Sequence, residues 1–216
     1  GPTKDGSFYY VMELLEGLSL DRLVKQYGPQ PPERVVHILR QVCHSLQDAH
    51  VGGVIHRDIK PSNLQLCRLG QDHDVMKVLD FGLVKHTTGG SNLEATLTQV
   101  GVTAGTPAYL SPESATSQSV DARSDLYSLA CVAVWLLTGE PLFVGKTPLE
   151  TVAMHLKDAP TPPSRRSEFD IPEDLEAVIM ACLAKNPDER PGGAAELALR
   201  LANCSLGGRW TQADAR

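Results

Sequence analysis

Positive charge is scarce in this sequence: 20 Lys and Arg stand against 26 Asp and Glu, a formal net charge of −6 over 216 residues. That balance excludes a nucleic-acid partner as the main ligand, because a phosphate backbone requires a basic face. Cys43, Cys67, Cys131, Cys182 and Cys204 are odd in number, widely spaced and never form a CxxC pair. A disulfide framework and a zinc knuckle are therefore both excluded, and a reducing compartment fits. The seven histidines show no HExxH spacing, and His37 with His44 share only a helix face, so packing or surface roles are expected for them. Long apolar runs are also lacking. The most apolar stretch, Leu126 to Leu137, would span about 18 Å as a helix, short of the ~20 residues that cross a bilayer. It reads as a buried core helix, with no membrane contact expected within this segment. No basic region leads into an apolar signal segment, and Gly1-Pro2 is read as a fragment edge. The expected location is the cytoplasm, with any membrane anchor of a longer parent lying outside these residues.

What is present suits one globular core: 42% of residues are hydrophobic and 21% charged. Phe8 to Leu14 reads as a buried strand broken by Glu16-Gly17, and Ser19 as the cap of a short helix from Leu20. Pro31-Pro32-Glu33 opens a longer helix whose apolar face runs Val35, Val36, Ile38, Leu39, Val42, Cys43 and Leu46 and ends near Gly52-Gly53. Val54-Ile55, Leu64 to Leu66 and Met76 to Leu79 are short apolar runs between polar turns, suggesting small strands that present loops. Lys85 to Thr106, rich in Thr, Gly, Ser and Asn, reads as a long surface loop. Helical patterns follow at 126–137, 149–156, 175–183 and 194–201, and Ser205 to Arg216 reads as the start of a linker.

Three motifs carry chemistry. His56-Arg57-Asp58-Ile59-Lys60-Pro61-Ser62-Asn63 sets a carboxylate, an ammonium and an amide on one short loop. Asp80-Phe81-Gly82 places a second carboxylate after an apolar run, and Gly105-Thr106-Pro107-Ala108-Tyr109-Leu110-Ser111-Pro112-Glu113 closes the long loop. In this order and spacing they resemble the catalytic loop, the DFG motif and the end of the activation segment of eukaryotic-like protein kinases, bacterial Ser/Thr members included. The resemblance runs from about Phe8 to Leu201.

That resemblance implies ATP and Mg²⁺ as cofactors, with phosphoryl transfer to protein substrates on Ser or Thr. Asp58 would orient and deprotonate the acceptor hydroxyl, Lys60 would neutralise the γ-phosphate, and Asn63 and Asp80 would hold the metal. Met12, Glu13, Leu15 and Gln65 would line the adenine site, and Thr106 would belong to the loop that receives the substrate chain. Arg57, expected to be buried, would answer a phosphorylated activation-loop residue, with Thr96, Thr98 and Thr103 as candidates. Glu113 with Arg190, and Asp125 beneath the catalytic loop, would be structural.

The implied fold class is mainly α (α+β), a helical bundle with short β-hairpins carrying the catalytic and DFG loops. The division expected is a strand and hinge remnant at 1–15, a C-terminal kinase lobe at 16–204 with its activation segment at 80–113, and a linker from 205–216. No glycine-rich loop and no strand lysine occurs in the 216 residues, so the N-terminal lobe is expected to be missing and the isolated chain inactive. A surface around Tyr9, Met12, Leu66 and Phe81 would then be wet. Gln65 also stands where the family has an apolar floor under adenine. A second reading, a pseudokinase-like binding or scaffolding module, therefore remains beside the enzyme.

Overall fold

The computed structural model describes residues 11, 13–81, 106–116 and 118–216. A small antiparallel sheet sits at one end of a helical body. Its strands β1 (Gly17–Ser19), β2 (Leu64–Leu69) and β3 (Asp72–Val78) lie in that order, with Gly17 opposite Cys67 and Leu64 opposite Val78. Gly17 is needed for close approach, since a Cβ there would lie 2.1 Å from the Leu66 carbonyl oxygen. Among the described residues seven α-helices follow or intervene: α1 (Leu20–Tyr27), α2 (Pro32–Val51), α3 (Pro112–Ala115), α4 (Ala122–Thr138), α5 (Pro148–Lys157), α6 (Glu173–Cys182) and α7 (Ala194–Asn203).

Helix α4 is the axis of the core, with every residue from Ser124 to Leu137 buried. A helix that is apolar all round must be surrounded, and α2, α6 and α7 pack against it. Its start is fixed by Asp121, whose side chain accepts from the Arg123 amide, and its end by Gly139 in the left-handed conformation, whose amide donates to Trp135. Helix α2 turns Val35, Ile38, Leu39, Val42 and Leu46 inward, as its spacing predicts. Burial pushes the thiols of Cys43 and Cys182 up, the latter to about 12, so these cysteines behave as core hydrophobes.

Several local expectations are corrected. Of the run Phe8 to Leu14 only Val11, Glu13 and Leu14 are described; they form no strand, and Val11 and Leu14 are 88% and 99% exposed, while β1 forms the sheet edge and no described residue pairs beyond it. Ser19 occupies the N-cap position of α1, but its hydroxyl donates to Asp21 Oδ1 at 2.6 Å and accepts from no helix amide. Val54-Ile55 forms no strand. Leu66 is buried under β1 and α1, and Phe81 is half-buried against the His56 ring, so neither is left wet. Tyr9 and Met12 lie outside the described residues.

Candidate active site

Three of the sequence-predicted site residues meet on the loop between α2 and β2. Lys60 Nζ donates to Asp58 Oδ2 at 2.8 Å, and Asn63 Nδ2 donates to the Asp58 carbonyl at 2.9 Å and to its Oδ2 at 3.2 Å. The 3-10 turn Pro61–Asn63 enforces this, because it folds Asn63 back over the loop it closes. With Nδ2 committed to Asp58, the amide presents its oxygen elsewhere. Asp58 and Lys60 remain part-exposed, so the pair is reachable.

Asp80 follows β3 and is exposed, with a left-handed backbone (φ 59°) that is costly for a residue other than glycine. Two bonds to the preceding residue fix it beside the loop: the Leu79 amide donates to the Asn63 carbonyl at 2.9 Å, and the Leu79 carbonyl accepts from His56 Nε2 at 2.8 Å. His56 Nδ1 accepts from the Asp58 amide at 3.2 Å, which leaves the ring proton on Nε2 for Leu79. His56 thus ties the two motifs together.

Below the loop, Asp125 from the first turn of α4 is 1% exposed and spends its carboxylate on backbone. Its Oδ2 accepts from the His56 amide (2.9 Å) and its Oδ1 from the Arg57 amide (2.8 Å), while His50 Nε2 adds a third bond at 2.8 Å. These acceptors hold Arg57 at φ 64°. The Arg57 side chain is exposed, which corrects the expected burial: a left-handed backbone pinned from beneath directs the chain outward. Thr96, Thr98 and Thr103, its candidate partners, lie outside the described residues.

A second buried frame closes the other end. Arg190 donates to both Glu113 carboxylate oxygens at 2.8 Å, and its remaining N–H groups reach the carbonyls of Ala184, Arg123 and Lys185, so all five donors are used. Burial pulls the Glu113 carboxyl up, but the Arg190 and Ser124 bonds outweigh it and hold it below the usual range. Helix α3, which carries Glu113, is capped by Ser111.

The remaining candidates are more dispersed. Thr106 opens the 3-10 turn Thr106–Tyr109, which is tied to α4 through Ser128 Oγ donating to the Tyr109 carbonyl at 2.7 Å. Gln65 is half-buried on β2, opposite Ser19 and Lys77. Glu13 is exposed and accepts from Lys77 at 3.1 Å, and Leu15 is half-buried. Met12 lies outside the described residues. Among the described residues no group of three His, Cys, Asp or Glu side chains could hold a metal. The Asn63 amide oxygen and the Asp80 carboxylate would fit Mg²⁺, a hard cation that takes one or two protein oxygens together with phosphate oxygens and water. Sequence reasoning missed His50 and Ser124, whose partners lie far along the chain or on a helix face that no spacing announces.

The protein kinase domain family model matches residues 3–201. This chain belongs to the protein kinase domain family. It is 42% identical over 189 residues to a serine/threonine-protein kinase PknB from Mycolicibacterium smegmatis, covering 88% of this chain and 29% of that protein. It is 38% identical over 195 residues to the Myxococcus xanthus serine/threonine-protein kinase pkn3, covering 90% and 36%. Kinase relatives of this kind are thus matched over less than two thirds of their length. Among solved structures, the Rad53 kinase domain and SCD2 in complex with AMPPNP superposes with a TM-score of 0.69 at 25% identity, covering 94% of this chain and 71% of that one. The Mycobacterium tuberculosis PknI kinase domain gives 0.63 at 24%, covering 88% and 62%, a likeness of fold. No helix among the described residues is long and apolar enough to cross a membrane.

Proposed function

We propose that this chain is the catalytic-loop lobe of an ATP- and Mg²⁺-dependent protein serine/threonine kinase, and that the lobe covering the nucleotide comes from other residues of a longer parent. The observation that carries the reading is the Asp58 carboxylate held by Lys60 and Asn63, with the Asp80 end of β3 bonded to the same loop through Leu79.

Phosphoryl transfer is mostly positioning and charge neutralisation. Asp58, fixed by Asn63 and open to solvent, accepts the proton of an incoming Ser or Thr hydroxyl. Lys60, already paired with that carboxylate, neutralises charge on the transferred group. Asn63 and Asp80 would supply the oxygens that hold Mg²⁺, whose chemistry there would be to offset the negative charge of the nucleotide phosphates. Gln65, Glu13, Leu15 and Met12 form the adenine side, Thr106 the acceptor-chain side. Arg57, exposed on the same loop, would receive a phosphate carried by Thr96, Thr98 or Thr103.

A scaffolding reading is favoured by one feature, the polar Gln65 on the adenine floor, where an unpaired amide costs about 1 to 3 kcal/mol. The test is Mg²⁺-dependent transfer from ATP to a generic protein acceptor by the parent, the parent carrying Asp58→Asn, and this chain. Transfer by the parent that Asp58→Asn abolishes supports the kinase. An inert parent that still binds partners tightly favours the scaffold.

A further inference from the structure

Residues 205–216 fall beyond the span matched by the family model, and composition reads them as a linker, yet they return to the lobe. Leu206 is buried, and Trp210 Nε1 donates to Asp74 Oδ2 at 3.0 Å. Arg34 of α2 grips the same carboxylate twice, at 2.8 and 2.7 Å, and its guanidinium stacks over the Trp210 ring at 5.3 Å. Gln212 clamps the His73 backbone on both sides, accepting from its amide at 2.8 Å and donating to its carbonyl at 3.0 Å.

Among the described residues β3 is an edge strand, and such an edge leaves backbone groups unpaired. Side-chain amides cover it instead: Gln212 at His73, and Gln41 of α2 at the Asp74 carbonyl and the Met76 amide. Asp74 itself is 6% exposed and left-handed (φ 54°), a conformation that persists only where its surroundings hold it. The strand so gripped leads directly to Leu79, bonded to Asn63 and His56, and to Asp80.

We propose that the segment 205–216 is a latch on the β2–β3 hairpin and that Trp210, acting through Asp74, is a positioning residue for the Asp80 end of β3. Release of the latch loosens β3 along its length and reaches the Leu79 amide. The positioning role rests on the phosphoryl-transfer reading; the latch does not.

Residue-resolved hydrogen exchange on this chain separates the two. Trp210→Ala removes a bond to a charged group together with the ring under Arg34, and a loss of that size speeds opening about tenfold or more. The expected result is faster exchange at His73, Met76 and Leu79 with α4 unchanged. Trp210→Phe, which keeps the ring, restores part of the protection, and Gln212→Ala gives a milder form of the same pattern if Trp210→Ala destabilises the whole lobe. Unchanged exchange at His73 and Met76 overturns the latch, and a change there that stops short of Leu79 overturns the positioning. In the parent, Trp210→Ala is expected to raise KM for Mg²⁺–ATP more than it lowers kcat, with Trp210→Phe recovering part of the loss; an unchanged KM overturns the positioning role. A wild-type parent without transfer sinks the kinase reading, and the exchange rates then decide the latch by themselves.

Discussion

Charged groups of this chain fall into two populations that differ in depth and in what they bond. Asp125, Glu113 and Arg190 are almost wholly buried, and their bonds go to backbone groups, to one another or to the His50 and Ser124 side chains. Asp58, Lys60 and Asp80 are half-exposed or exposed, and Asp80 sits on a left-handed backbone. A buried charge must be fully satisfied or it destabilises the fold, so the first group is suited to fixing geometry. The second keeps solvent access and can change partners, which is what a group meeting a nucleotide and an acceptor needs. Asp125 bonds the His56 and Arg57 amides next to Asp58, so this part of the frame is mechanically coupled to the exposed face while their energetics are separable.

Substitutions can break that separation, and the largest effect is expected in the frame. Arg190→Ala leaves the Glu113 carboxylate buried without its partner and should lower unfolding free energy by about 3 to 5 kcal/mol in denaturant titrations. Asp125→Asn keeps one acceptor oxygen but loses the charge that satisfies the His56 and Arg57 amides, so a loss of about 1 to 3 kcal/mol is expected by the same measurement.

Acidification probes a third buried cluster. His155 is 0% exposed, its Nδ1 bonded to the Tyr127 hydroxyl at 2.9 Å and Lys185 close by. Burial, then the Lys185 charge, hold the imidazole neutral down to about 4, against an ordinary value of 6.5. Between those values the unfolded chain takes up a proton that the folded one refuses, so stability is full above 6.5 and falls as pH drops toward 4. The slope is at most about 1.4 kcal/mol per pH unit. Replacing His155 by Gln should flatten the profile in that window. Glu113 acts in a lower one: its stabilisation is present above 4.5 and is lost as pH falls through its depressed folded value. The smallest stability effect belongs to the face. Lys60→Met removes a part-exposed ion pair and should change the unfolding free energy by less than about 1 kcal/mol.

How much of this was legible in the sequence follows from the same division. Periodicity carried helices α2 and α4, because their apolar positions recur at helical spacing and burial follows from that alone. The candidate catalytic loop was legible because Asp58, Lys60 and Asn63 lie within one short segment, where local turns decide who meets whom. The frame was harder: the Glu113 and Arg190 pairing came only through family resemblance, and the third bond on Asp125, from His50, spans 75 residues and left no local trace. Ser205 to Arg216 read as a linker because Gly207-Gly208 breaks any periodic face, while its docking depends on Asp74 and Arg34, far away in the chain. The apolar run at Val11 and Leu14 misled for the opposite reason: composition favours a buried strand, but burial requires a partner surface.

The most direct test of the division between frame and face is Asp58→Asn in the parent, read for both unfolding free energy and Mg²⁺-dependent transfer from ATP to protein. The account predicts stability within about 1 kcal/mol of wild type and transfer reduced about 10² to 10⁴-fold, the loss of a general base. Transfer that survives the substitution, or a collapse of stability matching that of Arg190→Ala, would contradict it.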